Sequence, residues 1–485
     1  MSLTQALNIA QSALFNRSHQ TSILSRNISE VSNPDYARRT AVLSSMVPGV
    51  NITSIRRATS DALFRQNLAA ISAWQGQSAL SQGLNTLQVQ VNGVDNAFSP
   101  ASAIGNLHIA LQTYAAAPSN RNLAENAVEA ARQVVRSLNN GTAAIQALRA
   151  DTDKEIARAV SELNRFLAEF EVANKEIVAG TVSGRDVSDA LDRRDALIKQ
   201  ISLYLPVSTI ARANNDMVLT TAGGVTLFET VVRPVSFSAN DLYTAEATGN
   251  AIYVDGVPLA AGSGGNTTAS GSLAAHLQLR DHVAVRMQQQ LDEIASRLII
   301  TFREKDPLGT LADATGLFTW QEGPDLPPPD KLVDGLAGSI RINAAMDSSV
   351  GGNPELLRDG GANGASYVHN SEGASYATLL NSLLAEFDEP EAFDPDVSPG
   401  GARSLLSFSG DAISWLEALR KDAASGAEAK EALANHTATA LSNETGVNLD
   451  EEMALLLELE QSYEASARLL AVIDEMLATL LEATR

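Results

Sequence analysis

At 485 residues the chain is too long for one compact core, and roughly two to four domains are expected. Its formal net charge of -22 argues against nucleic acid or an anionic membrane as partner, because binding phosphates requires basic patches. With no cysteine, disulfides, thiol catalysis and Cys-ligated zinc are excluded, and sparse aromatics with abundant Ala and Leu favour long helices over an aromatic-lined cleft.

The first segment is amphipathic. Leu7, Leu14, Thr21 and Ile28 repeat every seven residues, and Leu3, Ala10, Leu24 and Val31 fall on a second seam that Arg17 interrupts. Such spacing marks a helix that packs on another helix. The pattern stops at Asn33-Pro34-Asp35-Tyr36, where proline cannot continue the ladder. Residues 40–58 are β-branched and Ser-rich around a Pro-Gly turn and read as an extended or hairpin-like arm. The N-terminal residues have no basic stretch or cleavage site of a secretory signal, and no run is long enough to span a bilayer, so a secreted destination would need another export route.

From about 60 to 205 the pattern is helical again. Ile156, Ala159, Leu163, Phe166, Phe170, Ala173 and Ile177 belong to a segment that starts near Asn120 and runs for about 60 residues, a rod of about 90 Å. A short connector and one more helix follow through 201. Near Pro206 the period becomes two, with Asn-Asn-Asp and Gly-Gly turns among Val, Ile and Thr, which predicts β-hairpins. Residues 260–272 read as a flexible polar loop. Helix returns at Leu273, with Leu277, Ala284, Leu291 and Leu298 on one seam and Met287 and Ile294 on the other. Residues 307–370 are Gly- and Pro-rich with one strand expected at 339–346, residues 385–404 read as an acidic surface loop, and a helix is expected at 411–442.

The closing helix has the strongest signal. Leu449, Leu456, Tyr463, Leu470 and Leu477 form one seam, and Leu459, Ser466, Ile473 and Leu480 the other. Asn448 and Glu451 are spaced as a capping box. Burying this stripe is worth on the order of 10 kcal/mol. Residues 1–65 hold seven arginines against three acids, whereas residues 411–485 hold five basic residues against fifteen acidic ones, which favours docking of the two ends. A two-helix pair leaves the flanks of each stripe open, so the paired ends are expected to complete their burial against further copies.

A catalytic reading has little support. Six scattered histidines include no His-Glu-x-x-His, and Gly-Ser-Gly around Ser263 lacks a nucleophile elbow's first glycine. Asp186, Asp189, Asp192 and Asp195 recur every third residue with Arg193 and Arg194 between them, and read as a charged solvent face. No catalytic, cofactor or metal site is expected.

Residues 446–481 resemble the C-terminal signature of bacterial flagellar axial proteins, in particular the hook-associated protein 1 family. Residues 6–39, with Asn27-Ile28-Ser29-Glu30 and Pro34-Asp35-Tyr36, are similar to its N-terminal motif. Two interior stretches are similar to family blocks: 187–202, with Asp192-Arg193-Arg194-Asp195, and 271–298, with Gly271, Leu273, Arg280 and Asp281. The interior blocks weigh most, because hook, rod and filament proteins share the terminal pattern. Asp35 replaces the family's glycine and suits a type I turn, Glu460-Gln461 replaces Gln-Gln, and the strand-rich insertion is short.

The resemblance implies a non-enzymatic, extracellular building block of the flagellum, exported without a cleaved signal. Its expected partners are copies of itself, hook protein, hook-associated protein 3 and an export chaperone on the C-terminal helix, with no nucleic acid or membrane. The expected fold is mainly α with a β-rich insertion, a multi-domain elongated chain whose helical-bundle or coiled-coil core uses both termini. Residues 1–60 with 446–485 would form the assembly domain; 61–205, 271–306 and 371–445 a helical bundle; 206–270 a β-rich segment; and 307–370 an outer segment. Expected interface residues are Leu3, Leu7, Leu14, Leu24, Ile28, Leu449, Leu456, Leu459, Tyr463, Leu470, Ile473, Leu477 and Leu480, with Asn33, Pro34, Asp35, Tyr36 and Arg38 in the turn and arm. The alternatives are a hook or distal-rod component, or an exported hydrolase that uses Ser263.

Overall fold

The structure is a computed structural model that describes residues 3–46, 49–92, 99–328, 331–394, 397 and 401–483. Parts of the turn expected at Pro48 and of the acidic loop expected at 385–404 lie outside the described residues. Helix α1 (Leu3–Ser29) leads into a hairpin arm, β1 (Arg39–Met46) and β2 (Gly49–Arg57), paired antiparallel. Helices α2 (Asp61–Leu87), α3 (Pro100–Ala116), α4 (Arg121–Val182) and α5 (Ser188–Tyr204) follow. Two three-stranded sheets come next: β3 (Val207–Ala211), β4 (Met217–Thr221) and β5 (Thr226–Phe228); and β6 (Val235–Ser236), β7 (Tyr253–Val254) and β8 (Val257–Pro258). Their turns use the expected chemistry at Asn214, Asn215 and Gly224, which have positive φ, as do Asp255 and Gly256. Helices α6 (Ser272–Gln278) and α7 (Ala284–Thr301) are joined through a π-helical turn, Leu279–Val283.

Beyond α7 lie short elements: β9 (Phe318–Thr319), α8 (Leu336–Ser339), β10 (Arg341–Ile342) and α9 (Leu356–Asp359). Helices α10 (Thr378–Asp388), α11 (Leu405–Thr445) and α12 (Leu449–Ala483) close the chain. The mainly α architecture with small sheets and paired terminal helices agrees with the sequence. Two boundaries differ. The acidic loop begins later, because Leu380, Leu383 and Phe387 give α10 a buried face. The helix expected from 411 begins at Leu405, where Ser404 caps by accepting from the Ser407 amide at 3.3 Å.

Helix α4 organises the interior. Asn120 caps it, accepting from the Asn122 amide at 3.0 Å. Its first half, from Ala124 to Ile145, lies in one core with α2, α3, α7, α10 and α11. Its second half, from Ile156 to Ala173, lies in another core with α5, α6 and the sheets. The segment expected to stand outside, 307–370, instead contributes Leu317, Phe318, Trp320, Leu336, Ile340 and Leu357 to the first core. Its Gly and Pro content hides these buried positions, because they have no regular spacing.

A polar belt separates the two cores. Arg280, in the π-helical turn, is fully buried and donates to Asp153 at 2.5 Å, to the Asn250 carbonyl at 2.8 Å and to Asp281 at 2.7 Å. The Tyr243 hydroxyl and the Asn240 amide also donate to Asp153, at 2.9 and 2.6 Å. Gly249 passes against the guanidinium, where a Cβ would lie 2.3 Å from its atoms. Gly271 opens α6 with φ +84 and its amide donates to Ser72 O at 2.7 Å; a Cβ there would meet the Tyr204 carbonyl at 2.4 Å.

The loop read as flexible is strapped down. Gln77 donates to Gly265 O at 2.6 Å and to Ala423 O at 3.1 Å, Lys430 to Thr267 O at 2.5 Å, and Gln278 to Gly264 O at 2.7 Å. Its glycines allow it to thread between α2 and α11: at Gly265 a Cβ would lie 2.6 Å from Asp422.

Replacing Arg280 with Met leaves Asp153 charged and buried without its cation. The expected loss is about 3–5 kcal/mol, measured by urea unfolding, with part of it recovered when Asp153 is also changed to Leu.

Candidate assembly interface

Helices α1 and α12 pack along each other, joining the two ends of the chain. The contact buries Ala10 and Ile23 on one helix and Leu459 and Ile473 on the other. Leu3, Leu7, Leu14, Leu24 and Ile28 are half-buried, as are Leu456, Leu470 and Leu477. Leu449, Tyr463 and Leu480 are exposed, Leu480 to 52%. Glu460, which replaces a glutamine of the family pattern, is also exposed.

A second apolar face of α12 was not singled out in the sequence. Leu455, Leu469, Val472 and Met476 are exposed, spaced by 14, 3 and 4 residues, and occupy one side of the helix about a quarter turn from the seam. Met453, Leu457 and Leu481 add to the exposed apolar surface. The signal was present, since these positions repeat in threes and fours.

A buried polar node fixes the register of the pair. Asn27, 1% exposed, donates through Nδ2 to the Arg39 carbonyl and to Glu452 Oε2, both at 2.9 Å. Its Oδ1 accepts from the Tyr36 hydroxyl at 2.8 Å and from the Arg39 amide at 3.1 Å. One side chain thus ties together α1, the turn, the arm and α12. Asn27 was visible as the first residue of the Asn27–Glu30 motif, but nothing in the sequence named its four partners.

The turn has the geometry that aspartate suggests. The Tyr36 amide donates to Asn33 O at 3.2 Å, and among the described residues positive φ outside glycine is confined to Asn214, Asn215 and Asp255. Asn33 Oδ1 also accepts from the Asp35 amide at 3.0 Å, and Pro34 faces solvent. Asp35 pairs with Lys199 at 2.8 Å. Burial raises the Tyr36 hydroxyl above its ordinary pKa and keeps it a donor. The Arg38 amide donates to Thr445 O at 2.8 Å, and its guanidinium reaches Glu451 at 3.2 Å. Asn448 caps α12, accepting from Asp450 N at 3.0 Å, but Glu451 is used by Arg38 rather than closing the expected capping box.

The Asp189, Asp192 and Asp195 series corrects the solvent-face reading. Arg26 of α1 meets Asp189 at 2.6 Å, and Arg39, opening β1, meets Asp189 at 2.6 Å and Asp192 at 2.8 Å. Arg57, closing β2, meets Asp192 at 2.6 Å and Asp195 at 2.5 Å. Arg39 and Arg57 face each other across the hairpin, so its base is bolted to α5. Burial alone would lower the pKa of both arginines, but the aspartates more than offset it and both are raised. At Asp189 burial pushes the carboxyl up, but the bonds from Arg39 and Arg26 prevail and hold it below its ordinary value. The deeper Asp192 is raised by burial against the pull of Arg57 and Arg39, so it depends on both to stay charged. Arg194 points the other way and donates to Asn174 Oδ1 at 2.9 Å and Asn215 O at 2.6 Å. One face of the Asp-Arg-Arg-Asp block therefore pins the β3–β4 turn and the other receives the arm.

Among the described residues there is no group of three or more metal-ligating side chains, and Ser263 is exposed on its loop. The two terminal helices are thus zipped together and tied through the arm to the helical body. The family described as flagellar basal body rod FlgEFG protein C-terminal matches residues 441–483, and the flagellar hook-associated protein FlgK helical domain matches residues 84–317. Residues 84–317 are thus similar to the helical domain of the flagellar hook-associated protein FlgK, and residues 441–483 to the C-terminal segment of the FlgEFG rod proteins. A solved structure of the flagellar hook junction protein FlgK from Burkholderia pseudomallei is similar at 18% identity, covering 53% of this chain and 47% of that one, with a TM-score of 0.42. The chain therefore spans about half the length of that relative. No curated protein matches it.

Two substitutions test the interface. Asn27→Leu leaves the Glu452 carboxylate without its donor, with an expected cost of about 3 kcal/mol; limited proteolysis should then cut first within α12, whereas Glu452→Gln, which keeps an acceptor, should resist. Asp192→Asn should lower the opening free energy of residues 39–57 by about 1.5–3 kcal/mol, read as faster amide exchange there, with residues 156–177 unchanged.

Proposed function

We propose that the chain is a structural subunit of the bacterial flagellum, not an enzyme, and that it builds the hook–filament junction by self-assembly through its paired terminal helices. The exposed apolar face of α12 carries this reading: Leu455, Leu469, Val472 and Met476 face solvent on a helix whose adjoining seam, about a quarter turn away, is already covered by α1. A terminal helix with two apolar faces and one intramolecular partner is built for a second contact. The expected domains, with residues 1–60 and 446–485 as the assembly unit on a helical body, fit this role. So do the interface residues from Leu3 to Ile28 and from Leu449 to Leu480.

The family match over the helical domain favours the junction over a hook or distal-rod component, because it includes the 121–182 helix and the Asp192–Asp195 block. The partners in this reading are further copies, hook protein below, hook-associated protein 3 above, and an export chaperone that shields the C-terminal helix beforehand. The subunit would leave the cell through the flagellar export channel without a cleaved signal.

Deleting residues from Leu449 onward should leave a folded monomer with α2–α11 intact by amide exchange. Cells carrying only this form should make hooks and shed filaments into the medium, as electron microscopy would record. Filament growth supported by the truncated chain would overturn the proposal.

A further inference from the structure

The arm departs from how soluble proteins treat sheet edges. Residues 40–55 contain no Asp, Glu, Lys or Arg in a chain that is 19% charged. They form a two-stranded sheet, an arrangement marginally stable alone and open on both sides. Edge strands in soluble proteins are ordinarily protected by charges, bulges or cover; this arm has a register shift at Val42/Leu43 but no charged side chain between residues 40 and 55. One side is attended to: the Ile52 amide of β2 donates to Asn16 Oδ1 at 3.3 Å, and the β2 side lies toward α1 and α5. The outer edge of β1 has no such partner. Beyond the partner strand β2, from which the Thr53 hydroxyl also donates to Val42 O at 3.2 Å, no backbone group from Ala41 to Ser44 bonds to another element among the described residues, and Val42 and Leu43 are exposed.

A matching edge lies elsewhere in the same chain. Strand β3 (Val207–Ala211) is also uncharged and pairs only with β4, and its other side bonds to no element among the described residues. Ile210 is 55% exposed. This edge borders a cleft of about 890 Å³ whose walls include Tyr36, Arg57, Phe64, Thr209, Ala211 and Leu441, so the slot runs between the arm base and the β3–β5 sheet. Its rim charges are largely spent internally, with Arg57 on Asp195 and Lys199 on Asp35, which leaves an uncharged strand as the fitting occupant.

We propose that strand β1 of one copy adds to the free edge of β3 in a neighbouring copy, extending its three-stranded sheet. The inference rests on the self-assembly reading above. It makes the contact heterologous: each copy offers an arm and receives one, so the contact propagates as a ring or helix rather than closing as a twofold dimer. Backbone hydrogen bonds would supply affinity, with Val42 and Leu43 against Ile210 setting register.

The absence of cysteine makes the test clean. Opposed residues in adjacent strands have Cβ atoms about 4.5–5.5 Å apart, and non-hydrogen-bonded pairs come nearest to the roughly 3.5–4.5 Å that a disulfide spans. The full-length chain carrying Val42→Cys with Ile210→Cys, concentrated until sedimentation records self-association and then mildly oxidised, should give a ladder of dimers, trimers and higher species. Each single-cysteine chain should stop at dimers. Independently, Ile210→Lys should weaken association about tenfold or more without changing amide exchange in α1 and α12. Association with no ladder beyond the single-cysteine controls, and with Ile210→Lys behaving as the parent, would overturn this contact and leave the assembly reading intact. A parent chain that stays monomeric at every concentration and is not incorporated into flagella would overturn both.

Discussion

Everything at the ends of this chain depends on three arginines meeting three aspartates. Arg26, Arg39 and Arg57 come from a helix and from the two strands of one hairpin, and all converge on one face of α5. A hairpin of two strands and a pair of helices have too little apolar contact to hold a fixed angle to the body of the molecule. Ion pairs supply that angle because they are directional and shared: Asp189 and Asp192 each serve two arginines, so no arm residue can shift without breaking a bond held by another. Exposed pairs of this kind contribute little to stability, but here Arg39 is almost wholly buried and its partners are fixed on a helix, so the ladder sets position more than it adds stability.

Asn27 does for the helix pair what the ladder does for the arm. A purely apolar seam between α1 and α12 would tolerate sliding by a heptad, since leucines look alike at every turn. One buried amide with four partners, one of them the Glu452 carboxylate in the first turn of α12, does not. Glu452 also sits at the positive end of its own helix, which eases the cost of burying it. A buried polar contact of this type lowers the gain from burial and raises the penalty for every wrong register.

Much of this was legible in the sequence and some was not, for identifiable reasons. The 62-residue helix was visible because the apolar threes and fours of residues 156–177 belong to a stretch without helix breakers that starts near Asn120. The hairpins were visible because Asn-Asn-Asp and Gly-Gly favour positive φ, found at Asn214, Asn215 and Gly224, and the terminal pair because its heptads persist along α12. The aspartate ladder was misread because the local view supplied Arg193 and Arg194 as neutralising neighbours. The true partners lie more than 130 residues away, where periodicity gives no information. The Gly-Ser loop was misread for the opposite reason: glycines that signal freedom in isolation serve here to let backbone pass between α2 and α11 without clash. Of the seam residues, those with exposed side chains, Leu449, Tyr463 and Leu480, could not be told from the buried ones by sequence, because heptad position alone does not say which partner covers it.

The shared helix has a mechanical consequence. Helix α4 threads both cores, and the polar belt at Asp153 and Arg280 lies between them, so the cores cannot rotate independently without bending α4 or breaking a buried ion pair. Helix α5, which receives the arm, packs on the same half of α4 that supports the sheets. A displacement imposed at the terminal helices therefore passes through the ladder into α5, then into α4, and reaches the first core as motion of a continuous rod. Flexible linkage would dissipate such a displacement, whereas a continuous rod with a bolted arm passes it on.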